Sequence, residues 1–166
     1  MVEKELVTKE KVENSGLFNF SSLYSYLYNW LDNKKYVVAE KEYIESVSGN
    51  ARTVFFKWEA KRIISYYFKS EFEVEVTITN LVEVEVEVDG ERKKMNKGRM
   101  VMEVKSIIVR DPEGKWDASP LYRFLRDIYN KYIIPGRVDN VKMDIAAEAI
   151  ALKEDAKAFL EITGKR

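Results

Sequence analysis

Between Phe72 and Val88 the chain alternates apolar and polar side chains. Phe72, Val74, Val76, Ile78, Val82, Val84, Val86 and Val88 hold even positions; Glu71, Glu73, Glu75, Thr77, Thr79, Glu83, Glu85 and Glu87 hold odd ones. A period of two is the pattern of a strand with one face buried and one face wet. At about 3.3 Å per residue the segment would span roughly 56 Å, far beyond an ordinary strand. It reads as one long strand bent near Asn80-Leu81, or as two strands separated there. The acidic odd positions are expected on the solvent side. Either way the chain must build a sheet.

Turn residues divide the rest. Asp89-Gly90 is a two-residue hairpin signal. The hairpin it predicts sets Glu87 opposite Arg92 and Glu85 opposite Lys94, both favourable cross-strand pairs. Ser48-Gly49-Asn50 marks a second hairpin, between strands over 35–47 and 52–62, with Val54, Phe56, Trp58 and Ala60 on one face of the returning strand. Asn96-Lys97-Gly98 is expected to turn the chain again before Met100, Met102 and Val104 continue the sheet.

Leu17–Leu31 has helical spacing through Phe20, Leu23, Leu27 and Leu31, with Asn19 or Ser21 as cap. A second helix is expected from Ser119-Pro120, with Leu121, Phe124, Leu125, Ile128 and Tyr132 buried and Pro135-Gly136 as its stop. A last helix is expected over Val141–Ile162. The first 15 residues are charged and weakly periodic and are expected as an N-terminal arm.

The fold class expected is therefore α+β: one domain over 1–166, a single antiparallel sheet of four to five strands, an N-terminal helix, and one or two C-terminal helices packed on one face. At 166 residues the chain is long enough to bury close to 70% of its unfolded surface.

Composition narrows the chemistry. The chain has 28 basic and 28 acidic residues, no Cys and no His. Disulfides, thiolate or imidazole catalysis and classical zinc sites are excluded. Carboxylate, Lys or Tyr chemistry remains open in principle, but no phosphate loop or catalytic motif is present. No catalytic residue, cofactor or metal is expected. No stretch of 18 apolar residues suggests a membrane span, and the start has no hydrophobic leader, so a cytoplasmic location is expected. High Lys and Glu with no Cys or Gln fits a thermophilic source.

Four constellations of charged and aromatic side chains stand out. Lys57, Trp58, Lys61, Arg62, Tyr66, Tyr67 and Lys69 interleave cations with aromatics, as single-stranded nucleic-acid binders do; the ordinary reading turns Trp58 into the core and leaves the lysines in water. Residues 71–89 carry seven acidic and no basic side chains, and residues 91–110 seven basic and two acidic; neighbouring strands that neutralise each other explain this without a ligand. Glu71, Glu73 and Glu75, or Glu83, Glu85 and Glu87, could share a metal ion, but residues two apart on a strand are widely spaced for that, and solubility is their ordinary role. The fourth is the second helix. One flank carries Arg123, Arg126 and Lys131, with Tyr122 and Tyr129 beside them, and Arg and Tyr are enriched at interface hot spots.

The run from Gly114-Lys115-Trp116 through Ser119-Pro120 to Ile133-Ile134, with Leu23-Tyr24, Trp30-Leu31 and Lys57-Trp58-Glu59-Ala60, resembles a group of short archaeal proteins of unknown function. That resemblance implies an archaeal origin and no activity. The order of elements loosely resembles helix-grip folds, in which a curved antiparallel sheet wraps a long C-terminal helix, but no strand is evident before the first helix.

The leading expectation is a non-enzymatic binding or assembly protein that meets a protein partner, or a second copy, through Tyr122, Arg123, Arg126, Tyr129 and Lys131. The alternatives are a carrier of a small apolar ligand in a pocket lined by Phe56, Trp58, Met100, Met102 and Phe124, and nucleic-acid binding through the basic–aromatic patch.

Overall fold

The computed structural model describes residues 3–65, 67–110, 119–128, 131 and 135–164. In order the elements are β1 (Glu3–Phe18), α1 (Phe20–Asn33), β2 (Val37–Ser48), β3 (Ala51–Ile63), β4 (Phe68–Val88), β5 (Glu91–Arg110), α2 (Pro120–Ile128) and α3 (Pro135–Gly164). The strands form one antiparallel sheet in the order β1-β5-β4-β3-β2. The core forms where the even-numbered face of β3, β4 and β5 meets Leu23, Leu27 and Leu31 of α1 and Ile145, Ala149, Leu152 and Ala156 of α3. This is the α+β architecture expected, with α1 and α3 on one sheet face. Among the described residues no helix is long and apolar enough to cross a membrane.

Residues 3–18 form an edge strand rather than an arm, so a strand does precede the first helix. Its pattern is weak because its inward face mixes paired charges with the buried Val12 and Phe18. Glu5 accepts hydrogen bonds from Lys142 of α3 and Arg110 of β5, and Glu10 accepts one from Lys153 of α3.

β5 runs straight through Asn96-Lys97-Gly98, where a turn was expected. Two neighbours use those residues. The Asn96 side-chain carbonyl accepts the Phe20 N–H at 2.9 Å, and Gly98 passes close beneath β4. The hairpin register is as expected, with Glu87 opposite Arg92 and Glu85 opposite Lys94. Asp89 and Gly90 both have positive φ, as a type I′ turn requires.

β4 is one strand, but its side-chain register is not single. A bulge lies between Thr79 and Val82, with Asn80 in the left-handed region. One inserted residue exchanges the faces. Phe72, Val74, Val76 and Ile78 are buried under the helices, and Leu81 takes over the inward position. Val82 pairs with Lys97 and Val84 with Met95, odd residues of β5 whose even neighbours point inward. The second valine run therefore lies on the face away from the helices, and Glu83, Glu85 and Glu87 on the helix side. Beyond Phe18 and Leu81 only β4 and β5 continue, as a two-stranded ribbon.

α3 starts at Pro135, earlier than Val141, because proline is favoured in a helix's first turn; Pro135-Gly136 opens this helix and is not a stop.

Candidate functional site

α2 is a nine-residue helix opened by Pro120 and capped by Ser119, whose hydroxyl accepts the Tyr122 N–H at 3.2 Å. Its orientation is the reverse of the one expected. Leu121, Phe124 and Leu125 are 63, 61 and 41% exposed, whereas Arg126 is only 9% exposed. The Arg126 guanidinium points to β1, 3.9 Å from the Glu3 carboxylate. The helix thus turns its arginine toward the acidic end of β1 and leaves its apolar side in water.

Of the five expected interface residues, Tyr122 and Arg123 share the exposed surface of α2, and Lys131 is exposed beyond its end. Arg126 is not part of that surface. Tyr129 lies outside the described residues, as do Trp116 and Tyr132.

The expected pocket does not assemble. Phe56, Trp58, Met100 and Met102 are fully buried core residues, and Phe124 is on the solvent side of α2. Aromatic packing fills the space: the Tyr24 ring lies edge-on to Phe56 and Trp58, at 5.2 and 4.9 Å. The Tyr24 hydroxyl and the Trp58 indole N–H both donate to Glu40, at 2.8 and 3.3 Å. Burial, reinforced by the Glu40 carboxylate, pushes the Tyr24 hydroxyl up to about 12.

The basic–aromatic patch separates into two faces. Trp58 and Tyr67 are buried, while Lys57 and Lys61 point outward. Tyr66 lies outside the described residues. Lys61 is 3.2 Å from Glu59 and 3.5 Å from the buried Glu71, and Lys57 is 3.7 Å from Glu75. These pairs belong to a charge lattice on the outer sheet face, which Lys4 extends from β1 to Glu71 at 3.3 Å and Lys41 from β2 to Glu59 at 3.6 Å. Burial would raise the Glu59 carboxyl, but hydrogen bonding and attraction from Lys61, with Lys41 behind it, hold it below the usual range. The carboxylate rows sit in this lattice or on the exposed ribbon. Among the described residues no group of three or more acidic side chains could hold a metal ion.

The four cations Lys35, Lys61, Arg62 and Lys69 do converge, at the start of β2. With Val37 and Ile63 they line an open cleft of about 640 Å³. Two features of local structure set its walls. α1 ends in a Schellman motif: Tyr36 N–H donates to the Leu31 carbonyl at 3.0 Å and Lys35 N–H to that of Asp32 at 2.9 Å. The motif puts Lys35 at φ +70°, a conformation usually left to glycine. Beneath the cleft, Arg62 donates twice to Glu148 of α3, at 2.7 and 2.6 Å, and lies 4.7 Å over the Tyr36 ring. The Tyr36 hydroxyl is 2.6 Å from that of the buried Ser70 and 3.2 Å from Glu148. Burial, with the Glu148 charge, raises its pKa well above the usual tyrosine range.

Sequence reading found Arg62, Lys61 and Lys69 in the patch but missed Lys35. The available signal was Lys34-Lys35 at a helix end, where glycine is the usual residue. Compared with known proteins, the chain matches no family model, no curated protein and no solved structure.

Proposed function

We propose that this chain is a non-enzymatic binding and assembly protein that docks α2 into an apolar groove of a protein partner. The observation that carries the reading is the outward apolar side of α2. Leu121, Phe124, Leu125 and Ile128 stand at i, i+3, i+4 and i+7, the anchor spacing of a helix laid into a groove. Tyr122 and Arg123 flank the anchors and suit a polar, acidic rim.

The sheet edges support α2 over strand pairing as the contact. β1 and β2 each carry a register shift, near Val7 and Lys41, and many charged residues. Both devices oppose edge-to-edge association. A symmetric contact between two copies of α2 would set Arg123 near its own equivalent, so a different protein is the better occupant.

The test is affinity capture with the intact protein beside Phe124→Asp and Leu121→Asp, with Lys94→Glu on the ribbon as control. A partner held by the parent and by Lys94→Glu, and lost from both α2 variants, is the expected result. Native mass spectrometry runs in parallel. An oligomer that dissociates in the α2 variants would replace the foreign partner with a second copy; neither capture nor oligomer would sink the reading. The outer-face lattice also supports a thermophilic source, since ion-pair networks gain weight at high temperature.

A further inference from the structure

We propose that the cleft at the start of β2 binds a small organic phosphate, with the phosphate held by Lys35, Lys61 and Lys69 and a short apolar body laid on Val37 and Ile63. The volume, about 640 Å³, is within the range of small-molecule sites. The charge is unbalanced in favour of a multiply charged anion. Arg62 is matched by Glu148, while Glu59 and Glu71 share Lys61 with Lys41 and Lys4. Among the described residues Lys35 and Lys69 have no ion-pair partner, so two of the four cations lining the cleft are unmatched. A phosphomonoester dianion fits that surplus better than a single carboxylate, and lysine is an effective point-charge ligand for phosphate.

Two further features point the same way. Val37 and Ile63 are 75 and 74% exposed at the cleft. They provide an apolar shelf beside the cations, which a bare inorganic ion would not use. Lys35 occupies a left-handed helix-end position at which glycine would be less strained. A lysine held there against its backbone preference lines the cleft, and local strain of this kind is often tied to a site. Arg62, fixed by Glu148 and stacked on Tyr36, is a rigid floor and is not needed as a direct ligand.

The probes are hexyl phosphate, inorganic phosphate and hexanol, titrated calorimetrically, with amide chemical shifts locating the site. Hexyl phosphate should bind saturably and more tightly than inorganic phosphate, hexanol should not bind, and the amides of Lys35, Ile63 and Lys69 should shift. Lys35→Gly and Lys69→Met should each weaken binding about tenfold, a loss of about 1.4 kcal/mol. Lys35→Gly should also raise the Tm, which separates lost binding from lost folding. Lys94→Met should bind as the parent does.

Vesicles containing phosphatidic acid distinguish a lipid headgroup from a soluble ligand. Sedimentation with them that both cleft variants abolish assigns the phosphate to a membrane surface. Hexyl phosphate binding without sedimentation assigns it to solution. No binding in either arm, or binding that survives both cleft substitutions, overturns the proposal, and neither outcome bears on the α2 contact.

Discussion

Gly98 faces the bulge at Asn80 so closely that a Cβ on it would lie 2.9 Å from the Thr79 carbonyl oxygen and 3.2 Å from that of Asn80. Both contacts are with backbone, so no side chain can swing away to relieve them. We expect Gly98→Ala to cost about 2 kcal/mol, in the range of overpacked sites. Asn80→Gly, which relaxes a left-handed residue, should be neutral or slightly stabilising. Urea unfolding of both variants checks this. A Gly98→Ala protein within about 0.5 kcal/mol of the parent would mean the bulge is not a close contact.

That bulge also shows where sequence reading reached its limit. The alternation of Phe72–Ile78, the Asp89-Gly90 turn, the Glu87–Arg92 register and the Asn19 cap of α1 follow from local periodicity or local hydrogen bonding, and all are readable in the chain. The face exchange at Asn80 is not. Both valine runs fall on even numbers, and only pairing with β5 reveals the extra residue. β1 was illegible for a different reason: its inward Glu5 and Glu10 are satisfied by Lys142 and Lys153, more than 130 residues away in sequence. α2 misleads in the same way. Its apolar stripe has the spacing of a buried face, yet the residue turned inward is Arg126, beside Glu3 of β1.

The Arg62–Glu148 pair is the main polar tie between β3 and α3, and it is only partly wetted. Removing one member leaves the other's charge poorly solvated. Glu148→Gln and Arg62→Met should each destabilise the fold by about 2 kcal/mol, less than the loss for a fully buried pair. The double variant Arg62→Met with Glu148→Met should recover much of that loss, since neither charge then remains. A double-mutant cycle by chemical denaturation measures the coupling. Additive losses would show that the two residues do not act as a unit.

Glu5 contributes to the acid sensitivity of the fold. Its hydrogen bond from Lys142, aided by attraction from Lys142 and Arg110, outweighs burial and holds its carboxyl below the ordinary value of 4.5. The folded state therefore binds this proton less readily than the unfolded chain does. The associated stability is complete above about pH 4.5 and is lost as pH falls through the lower folded value. Lys142→Met should be less stable than the parent at neutral pH, and the difference should shrink below about pH 4.5. Thermal melts across that range test it; a gap between the two proteins that does not change with pH would remove Glu5 as the cause.

Tyr24 sets an alkaline limit by the opposite sign. Burial against Phe56 and Trp58, together with the Glu40 carboxylate, lifts its hydroxyl from 10 to about 12. The folded state keeps this proton longer than the unfolded chain, so the stability tied to it is intact below pH 10 and declines as pH rises through the folded value. Tyr36, the most strongly raised, and Tyr26 and Tyr43 are raised by burial too and add to the same decline. Tyr24→Phe removes the titrating group and also the hydrogen bond to Glu40. The variant should be less stable than the parent at neutral pH but lose less stability on going to high pH, and its phenolate absorbance should lack one late-titrating tyrosine. Parallel alkaline melts of the two proteins would show that the limit lies elsewhere.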